Sequence, residues 1–283
     1  MPSKRSLAVI AAKQGAYYDA SLSTFEENLK EIVDRAKRVA LHRILKSLTI
    51  TDGRIDQTAS NMRAIRRADK IFVEAMKDAG YDRLVSAFVS HFPLQLPRVE
   101  EIIEYLSSDL KTPLKAALTA DEDQRILRAV QSNTAEALEA AVETAGNAAL
   151  TQAVFSIGGL KFTDLIAEIG RRFDMSVGRA TTLADTAQAT FFRTALDRAY
   201  RAIDAELPTA PTQYYRYSGP LDRKNRPFCR KLLLADKGYT RAQIDDMSNG
   251  QIPNVWLSCG GWNCRHQWII DTRPIMARMK AAA

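Results

Sequence analysis

The chain of 283 residues is poor in cysteine: it has three, and this odd number argues against a disulfide scaffold. It also lacks any apolar run near the length of about 18 residues that a membrane span needs. The N-terminus begins with charged residues and its apolar stretch is short, so we expect no secretory signal. These absences predict a protein that is made in the cytoplasm and does not enter a membrane.

Positive charge is abundant, and it is concentrated at one end. Residues 1–212 contain 28 Lys and Arg against 28 Asp and Glu, whereas residues 213–283 contain 12 against 5, so the net charge of +7 lies in the last quarter. A concentrated positive field favours a polyanionic partner, and nucleic acid is the commonest. A solubilising basic tail is the alternative.

Apolar residues at helical spacing predict successive helices through the first two hundred residues. The segment 120–150 has a narrow apolar seam, which suits a coiled coil or packing against another subunit, with an ordinary bundle helix as the alternative. We expect an extended connector at Phe92–Pro97 and a turn at Asp174-Met175-Ser176. The predicted helices span 25–48, 57–79, 81–90, 99–106, 120–150, 163–173 and 177–206.

The composition changes after a linker with two prolines at 207–212, where a domain boundary is expected. Beyond it we predict a helix at 227–234, another that opens with a capping box at Thr240, and strands at 214–217, 255–258 and 267–270. The predicted fold is mainly α, an elongated helical body followed by a small α+β C-terminal module. The expected segments are a helical N-terminal region (1–159), a helical hairpin and linker (160–212), a basic α+β module (213–272) and a tail (273–283).

All three cysteines lie in this module, together with the only histidine of the last third of the chain. Cys229, Cys259, Cys264 and His266 supply the donor set of one structural zinc ion. A module with a small core gains most from a metal, and on a strand Cys264 and His266 project from the same face. The alternative is that no cofactor is bound, and that the thiols are small buried hydrophobic groups beside a hydrogen-bonded histidine.

Two segments of the module resemble a known family. They are Asp222-Arg223-Lys224-Asn225-Arg226-Pro227-Phe228-Cys229 and Gly260-Gly261-Trp262-Asn263-Cys264-Arg265-His266-Gln267-Trp268. They are similar to the Asp-x-x-x-x-Pro-x-Cys and Asn-Cys-Arg elements of phage Mu F-like minor head proteins, and Arg179–Thr186 is similar to the helix that precedes them in that family. The resemblance covers about residues 160–272. Many relatives have Cys-x-x-Cys where this chain has Arg226-Pro227-Phe228-Cys229.

The resemblance implies a minor capsid or head-morphogenesis protein of a tailed bacteriophage. Such a protein binds the portal or other capsid proteins and is found in the phage head, after assembly in the host cytoplasm. Non-specific contact with double-stranded DNA and self-association through helices are further expectations. The basic side chains expected to contact nucleic acid are Arg216, Arg223, Lys224, Arg226, Arg230, Lys231 and Arg265.

Two other classes of function compete with this interpretation. A catalytic Cys264–His266 pair lacks an evident third group to orient the imidazole, and a metal-dependent nuclease that uses Asp222 and His266 lacks the second histidine that such enzymes usually have. A sequence-specific DNA reader would use the helix pair between 163 and 206, which has an alanine seam but no cluster of base-reading polar residues. The sequence therefore favours a binding or assembly protein over an enzyme, with a metal-dependent nuclease or other DNA-acting module as the alternative.

Overall fold

Helices make up most of the described chain, as the apolar stripes predict. The computed structural model describes residues 7–115, 118, 120–143, 161–204 and 213–282. The helices are α1 (Leu7–Lys46), α2 (Ala59–Arg66), α3 (Ala68–Asp78), α4 (Tyr81–Ser90), α5 (Leu96–Leu110), α6 (Asp121–Glu143), α7 (Phe162–Ile203), α8 (Pro227–Ala235), α9 (Arg241–Asp245), α10 (Val255–Ser258) and α11 (Thr272–Ala282). The strands are β1 (Ile50–Thr51), β2 (Arg54–Ile55), β3 (Tyr214–Ser218), β4 (Gly238–Thr240) and β5 (Gln267–Ile270), and a 3-10 helix covers Phe92–Gln95.

The predicted fold class is confirmed: a long helical body is followed by a small C-terminal region with a few antiparallel strands and helices. β3 is the central strand of a three-stranded antiparallel sheet and pairs with β4 on one side and β5 on the other. None of the described helices combines the length and apolar character that a bilayer crossing requires.

A two-residue turn after α1 closes a short hairpin. Ile50 pairs with Ile55 and Thr51 with Arg54. Asp52 and Gly53 between them both have positive φ, 49° and 71°, which a two-residue hairpin turn requires. The preceding helix is longer than predicted, because α1 begins at Leu7 rather than near residue 25.

Three expectations about the helices are wrong, each for a local reason. The segment 57–79 is two helices divided at Arg67, whose φ of −86° and ψ of −11° together lie outside the usual helical range. Phe92–Pro97 is helical rather than extended, since each proline lies in the first turn of a helix and its missing N–H costs no hydrogen bond there. No turn interrupts 174–176, because buried Phe173 and Ser176 continue the inward face of α7.

Some predicted features lie outside the described residues. These are the end of the helix at 144–150, the linker at 207–212, and the domain boundaries at 159/160 and 212/213. The predicted tail from 273 is described, and it forms most of helix α11.

The chain divides into two compact units. The internal unit comprises Leu22–Val89 and Asn133–Ala184, and the C-terminal unit comprises Met1–Ser21, Ser90–Ser132 and Asp185–Ala283.

Aromatic rings form much of the core of the internal unit. The rings of Phe25 and Phe88 have centroids 4.6 Å apart, and those of Phe72 and Phe173 are 4.3 Å apart. The buried hydroxyl of Tyr81 donates to the carbonyl of Leu138 at 2.7 Å. The polar tip of this buried ring therefore has a partner inside the core.

In the C-terminal unit, the sheet packs with the second half of α7. The Tyr200 hydroxyl of α7 donates to the carbonyl of Trp268 in β5 at 3.1 Å, and the ring of Tyr200 lies 6.0 Å from that of Tyr215 in β3. α11 follows β5 directly, and the Thr272 hydroxyl bonds the Asp109 carboxylate of α5 at 2.5 Å. The strands are thus fixed to helices that precede them in the sequence.

Most predicted elements of the C-terminal region are confirmed, but the helix after Thr240 ends at Asp245 instead of continuing to Gly250, and one predicted strand is a helix. The strands at 214–217 and 267–270, the helix that starts at Pro227 and the capping box at Thr240 are all present. Residues 255–258 form the short helix α10 rather than a strand, since the side chain of Asn254 caps it by accepting the N–H of Leu257.

Candidate functional site

The central strand β3 directs two tyrosines into the interior. Successive side chains of a strand point to opposite faces, and in β3 Tyr215 and Tyr217 are buried while their neighbours are partly exposed. The hydroxyl of Tyr217 lies 3.5 Å from the Sγ atoms of both Cys229 and Cys264. The strand therefore carries a polar group into a cluster of thiols.

Helix α8 supplies the first of these thiols. Pro227 begins the helix, where its fixed φ suits the first turn. Cys229 and Leu232 are buried, whereas Arg230 and Lys231 are exposed. The helix thus presents one thiol to the interior and basic groups to solvent.

The loop before β5 supplies the other two groups. It turns sharply, with positive φ at Cys259, Gly261 and Asn263. Gly260 allows the close approach of the thiols, because a Cβ at this position would lie 2.1 Å from the Cys229 Sγ. The backbone N–H of Gly260 donates to the Cys264 Sγ at 3.1 Å.

Three of the four predicted ligands come together here. The Sγ atoms of Cys229 and Cys264 are 3.9 Å apart, the Cys264 Sγ is 3.4 Å from His266 Nδ1, and all three donor atoms lie within 4.8 Å of one another. Cys264 and His266 thus project together, although they lie in the loop before β5 and not on a strand as predicted. Cys259 is fully buried but does not belong to this group.

The orientation of the His266 ring follows from its hydrogen bonds. Its Nε2 lies 2.9 Å from the carbonyl oxygen of Pro220, and a carbonyl only accepts, so Nε2 carries a proton. In the neutral ring the lone pair is then on Nδ1, which faces Cys264. The ring also stacks on Tyr217, with centroids 5.1 Å apart and planes 15° apart.

The cluster separates the acidities of its thiols. A hydrogen bond from the Cys229 thiol lowers the pKa of Cys264, assisted by His266 and the positive charge of Arg193. The shared proton and burial raise the pKa of Cys229, and burial raises that of Cys259 to about 12. Burial and the surrounding thiols also raise the pKa of the Tyr217 hydroxyl well above its ordinary value. Cys264 is therefore the thiol that most readily becomes a thiolate.

Arg193 of α7 is a buried cation that the sequence analysis missed. Its Nε donates to the carbonyl of His266 at 2.8 Å, one terminal nitrogen donates to the carbonyl of Leu257 at 3.0 Å, and the other donates to the carbonyl of Cys264. The side chain thus fixes the backbone of the two ligand residues. The signal in the sequence is the adjacent pair Phe191-Phe192. Both rings are buried, so more than one face of the helix lies in the core here, and the next residue, Arg193, is buried as well.

The seven basic residues predicted to contact nucleic acid fall into two groups. Arg265 forms an ion pair with Asp222 at 2.6 Å, Arg216 pairs with Asp236 at 3.2 Å, and Arg226 donates to the carbonyl of Gly260 at 3.3 Å. The other four are exposed and make no ion pair with a described residue: Arg223, Lys224, Arg230 and Lys231. We refer to these four as the basic edge.

Residues of the separate sequence motifs contact one another. Arg265 of the second motif binds both carboxylate oxygens of Asp222 in the first, at 2.6 and 2.8 Å. The N–H of Asn263 donates to the hydroxyl of Thr186 at 3.1 Å. Thr186 is the last residue of the helical motif that precedes the other two. Because Cys229 also meets Cys264, all three motifs join at one centre.

The geometry gives little support to either catalytic alternative. The Cys264 thiol and His266 are close, but both are buried, at 4% and 3% exposure, and a nucleophile must reach its substrate. Asp222 is engaged by Arg265 rather than placed beside His266. A cation shared by Asp222 and His266 would have to displace the guanidinium.

No family model, curated protein or solved structure matches this chain.

Proposed function

We propose that this chain is a minor capsid or head-morphogenesis protein of a tailed bacteriophage, which binds the portal vertex and contacts packaged DNA. The proposal starts from the motif resemblance. The observation that carries it is the meeting of the motifs: Asp222 pairs with Arg265, Cys229 with Cys264, and Thr186 with Asn263. Because the residues of each pair contact one another, a change in one affects the other. The contacts therefore give a structural reason why the three motifs occur together in this sequence.

The basic edge supports the DNA contact. Its four cations are exposed and lie on the loop and first turns around Pro227, so they are available to phosphates. Exposed Lys and Arg side chains bind DNA by releasing condensed counterions, which gives affinity without sequence readout. The role of the edge is therefore non-specific attachment to packaged DNA.

One competing class loses its structural basis. A helix-turn-helix reader needs two short helices joined by a turn, whereas residues 162–203 form the single helix α7. The geometry accordingly favours non-specific over sequence-specific contact.

The decisive experiment uses the phage or prophage that encodes this chain. An amber codon replaces an early codon, and particles are purified from suppressing and non-suppressing hosts. We expect peptides of the chain in particles from the suppressing host, co-purification with the portal ring, and a large loss of infectious particles without suppression. Infectious particles of normal composition that lack every peptide of this chain would refute the proposal.

The DNA contact is tested with the full chain and a matched charge control. We expect neutralisation of the basic edge to weaken binding to random-sequence duplex DNA and to lower the slope of log affinity against log salt by about 3–4, since each phosphate contact contributes about 0.9. The control removes four exposed positive charges of the internal unit and should change the slope by less than about 1. The two variants are Arg223, Lys224, Arg230 and Lys231 to Gln, and Lys30, Arg35, Arg38 and Arg66 to Gln. Equal losses in the two would mean that net charge, rather than the basic edge, determines binding.

A further inference from the structure

We propose that Cys229, Cys264 and His266 bind one zinc ion that has a structural role. This inference rests on the geometry of the cluster and does not depend on the proposed function. Two soft sulfur ligands and an imidazole nitrogen form a donor set that zinc prefers over magnesium or calcium. All three groups are buried in one cluster, which suits a closed structural site.

Two of the three distances between the donor atoms agree with a zinc tetrahedron. With Zn–S bonds of about 2.3 Å and Zn–N bonds of about 2.0 Å, tetrahedral angles place two sulfurs about 3.8 Å apart and sulfur and nitrogen about 3.5 Å apart. In the structure, the two Sγ atoms are 3.9 Å apart and Cys264 Sγ is 3.4 Å from His266 Nδ1. The third pair, Cys229 Sγ and His266 Nδ1, lies within 4.8 Å, against about 3.5 Å in the tetrahedron, so these two ligands must approach each other by up to about 1.3 Å to enclose the ion.

The hydrogen bonds around the ligands are those of a metal site. A ligating histidine usually donates its other ring N–H to a carbonyl or carboxylate, which fixes the tautomer. His266 donates from Nε2 to the Pro220 carbonyl and directs Nδ1 into the cluster. Gly260 donates its N–H to the Cys264 sulfur, and the Arg193 guanidinium fixes the carbonyls of both Cys264 and His266.

A fourth ligand comes from the side of Tyr217. Its hydroxyl is 3.5 Å from each Sγ atom, close to the spacing between oxygen and sulfur vertices of such a tetrahedron. The Tyr217 hydroxyl oxygen completes the four-coordinate shell, so all four ligands come from the protein. Cys259 is buried nearby without joining the group, so it serves as an internal control.

Binding changes the protonation of the cluster in a defined way. Zinc bonds to two thiolates, so any thiol proton still held by Cys229 or Cys264 is released to the buffer on binding. The ion then joins the start of α8 to the loop before β5, elements that are 35 residues apart in the chain at Cys229 and Cys264. Its binding free energy contributes directly to the stability of this region.

The test uses the full chain, purified under reducing conditions, stripped with chelator and titrated with Zn²⁺ or with Co²⁺ as a spectroscopic probe. We expect one metal per chain. With Co²⁺ we expect tetrahedral absorption and a sulfur-to-cobalt charge-transfer band, and both spectral features should disappear when Zn²⁺ is added. Zn²⁺ should raise the melting temperature of the stripped protein, and chelator should reverse this increase.

Matched variants separate ligand loss from unfolding. Cys229→Ala and Cys264→Ala should lose the charge-transfer band, whereas Cys259→Ala, at an equally buried thiol outside the group, should retain it. His266→Ala should weaken binding at least tenfold, and His266→Cys should restore tight binding because it returns a ligand. Circular dichroism of each stripped variant reports folding independently.

Two results would overturn the proposal. One is a folded unmodified chain that has three free thiols but takes up neither Zn²⁺ nor Co²⁺. The other is a chain isolated without reductant that has one free thiol and a mass lower by two hydrogens, and that takes up no metal after reduction. That second result would mean that Cys229 and Cys264 form a disulfide instead.

Discussion

The two compact units have interiors of different chemical character. In the internal unit, ring pairs such as Phe25–Phe88 and Phe72–Phe173 provide close apolar contacts. In the C-terminal unit, the interior contains charged or ionisable side chains that are almost fully buried, among them Arg193, His266 and Asp271. Each of these three has hydrogen-bond partners within the unit.

This difference determines how each interior responds to change. Apolar contacts are non-directional, so small losses of volume have modest effects that do not depend on pH or metal. A buried polar group is tolerated only while its partners remain in place, so removal of one member exposes the others to the full cost of desolvation. The C-terminal unit therefore depends on individual charged and ionisable groups, whereas the ring pairs of the internal unit depend on shape and volume.

The largest effect is expected for Arg193→Met. Methionine retains much of the apolar stem but leaves the carbonyls of Leu257, Cys264 and His266 without their donor. We expect a loss of about 3–5 kcal/mol in the free energy of unfolding, measured by urea titration. Arg201→Met on the same helix is the control, because Arg201 is 60% exposed and its loss should cost less than about 0.5 kcal/mol. Similar losses in the two variants would contradict the role assigned to Arg193.

The next effect compares two Gly→Ala changes of opposite expected sign. At Gly260 a new Cβ would lie 2.1 Å from the Cys229 Sγ, so the thiol must move, and we expect destabilisation of about 1–3 kcal/mol. At Gly178 in α7 a new Cβ meets nothing within 4 Å, and we expect stabilisation of about 0.5–1 kcal/mol from better helix propensity. Thermal melts of both variants measure these changes. Effects of the same sign would remove the contrast between the units.

A smaller effect is expected for Ile44→Val in the internal unit. Ile44 is 2% exposed, and the loss of one buried methylene should cost about 1 kcal/mol in the free energy of unfolding. The loss in the free energy of unfolding should be equal at pH 5 and pH 7, because removing a methylene group changes apolar burial and packing and not the binding of protons. Urea titrations at the two pH values test this, and a clear pH dependence would contradict the apolar description of this core.

The smallest effect concerns pH and Asp271. Burial alone would raise the pKa of this carboxyl, but hydrogen bonds from the side chain and N–H of Arg273 lower it below its ordinary value. Because its pKa is lowered in the folded state, the Asp271 carboxylate stabilises the fold at pH values above the unfolded-state pKa of about 3.9. This stabilisation is lost as the pH falls through the folded-state pKa. Asp271→Asn should therefore cost up to about 1 kcal/mol at pH 7, and the difference should shrink below about pH 4.

Unfolding titrations from pH 7 to pH 3 check this expectation for Asp271. Asp34→Asn on the exposed face of α1 is the control, and it should cost less than about 0.5 kcal/mol throughout. A difference for Asp271→Asn that grows as the pH falls would show that the sign is wrong.

Elements with strong local signals were predictable from the sequence. The helix α4 begins directly after Gly80 and was predicted with its observed bounds, Tyr81–Ser90. The capping box at Thr240 and the start of α8 at Pro227 depend on contacts within a few residues. Both can therefore be predicted from the local sequence alone.

Elements decided by burial were predicted less well. Asp174-Met175-Ser176 has the composition of a turn, yet α7 continues through it because Phe173 and Ser176 face the interior. Val255–Ser258 is a short apolar run, and such a run fits a strand as well as a buried helical turn. In both places the tertiary environment decided between conformations that the local sequence leaves open.

The candidate site was predictable in composition but not in geometry. The concentration of thiols and one histidine in a small module singled out Cys229, Cys264 and His266 correctly as neighbours. Cys259 lies outside the group of three, and its backbone has φ of 50° and ψ of −113°, a conformation that the sequence does not specify. Arg193 was missed because its position is set by the packing of α7, more than sixty residues before the loop that it binds.

The outer edge of β5, on the side away from β3, has a consequence for self-assembly of the chain. An unpaired strand edge presents carbonyl and N–H groups that a strand of another molecule can extend, which is a common route to aggregation. Here the carbonyls of His266 and Trp268, which point away from β3, already accept hydrogen bonds from Arg193 and Tyr200. Because Arg193 and Tyr200 of α7 occupy these carbonyls, a strand of a second molecule cannot pair with them, even at high local concentration.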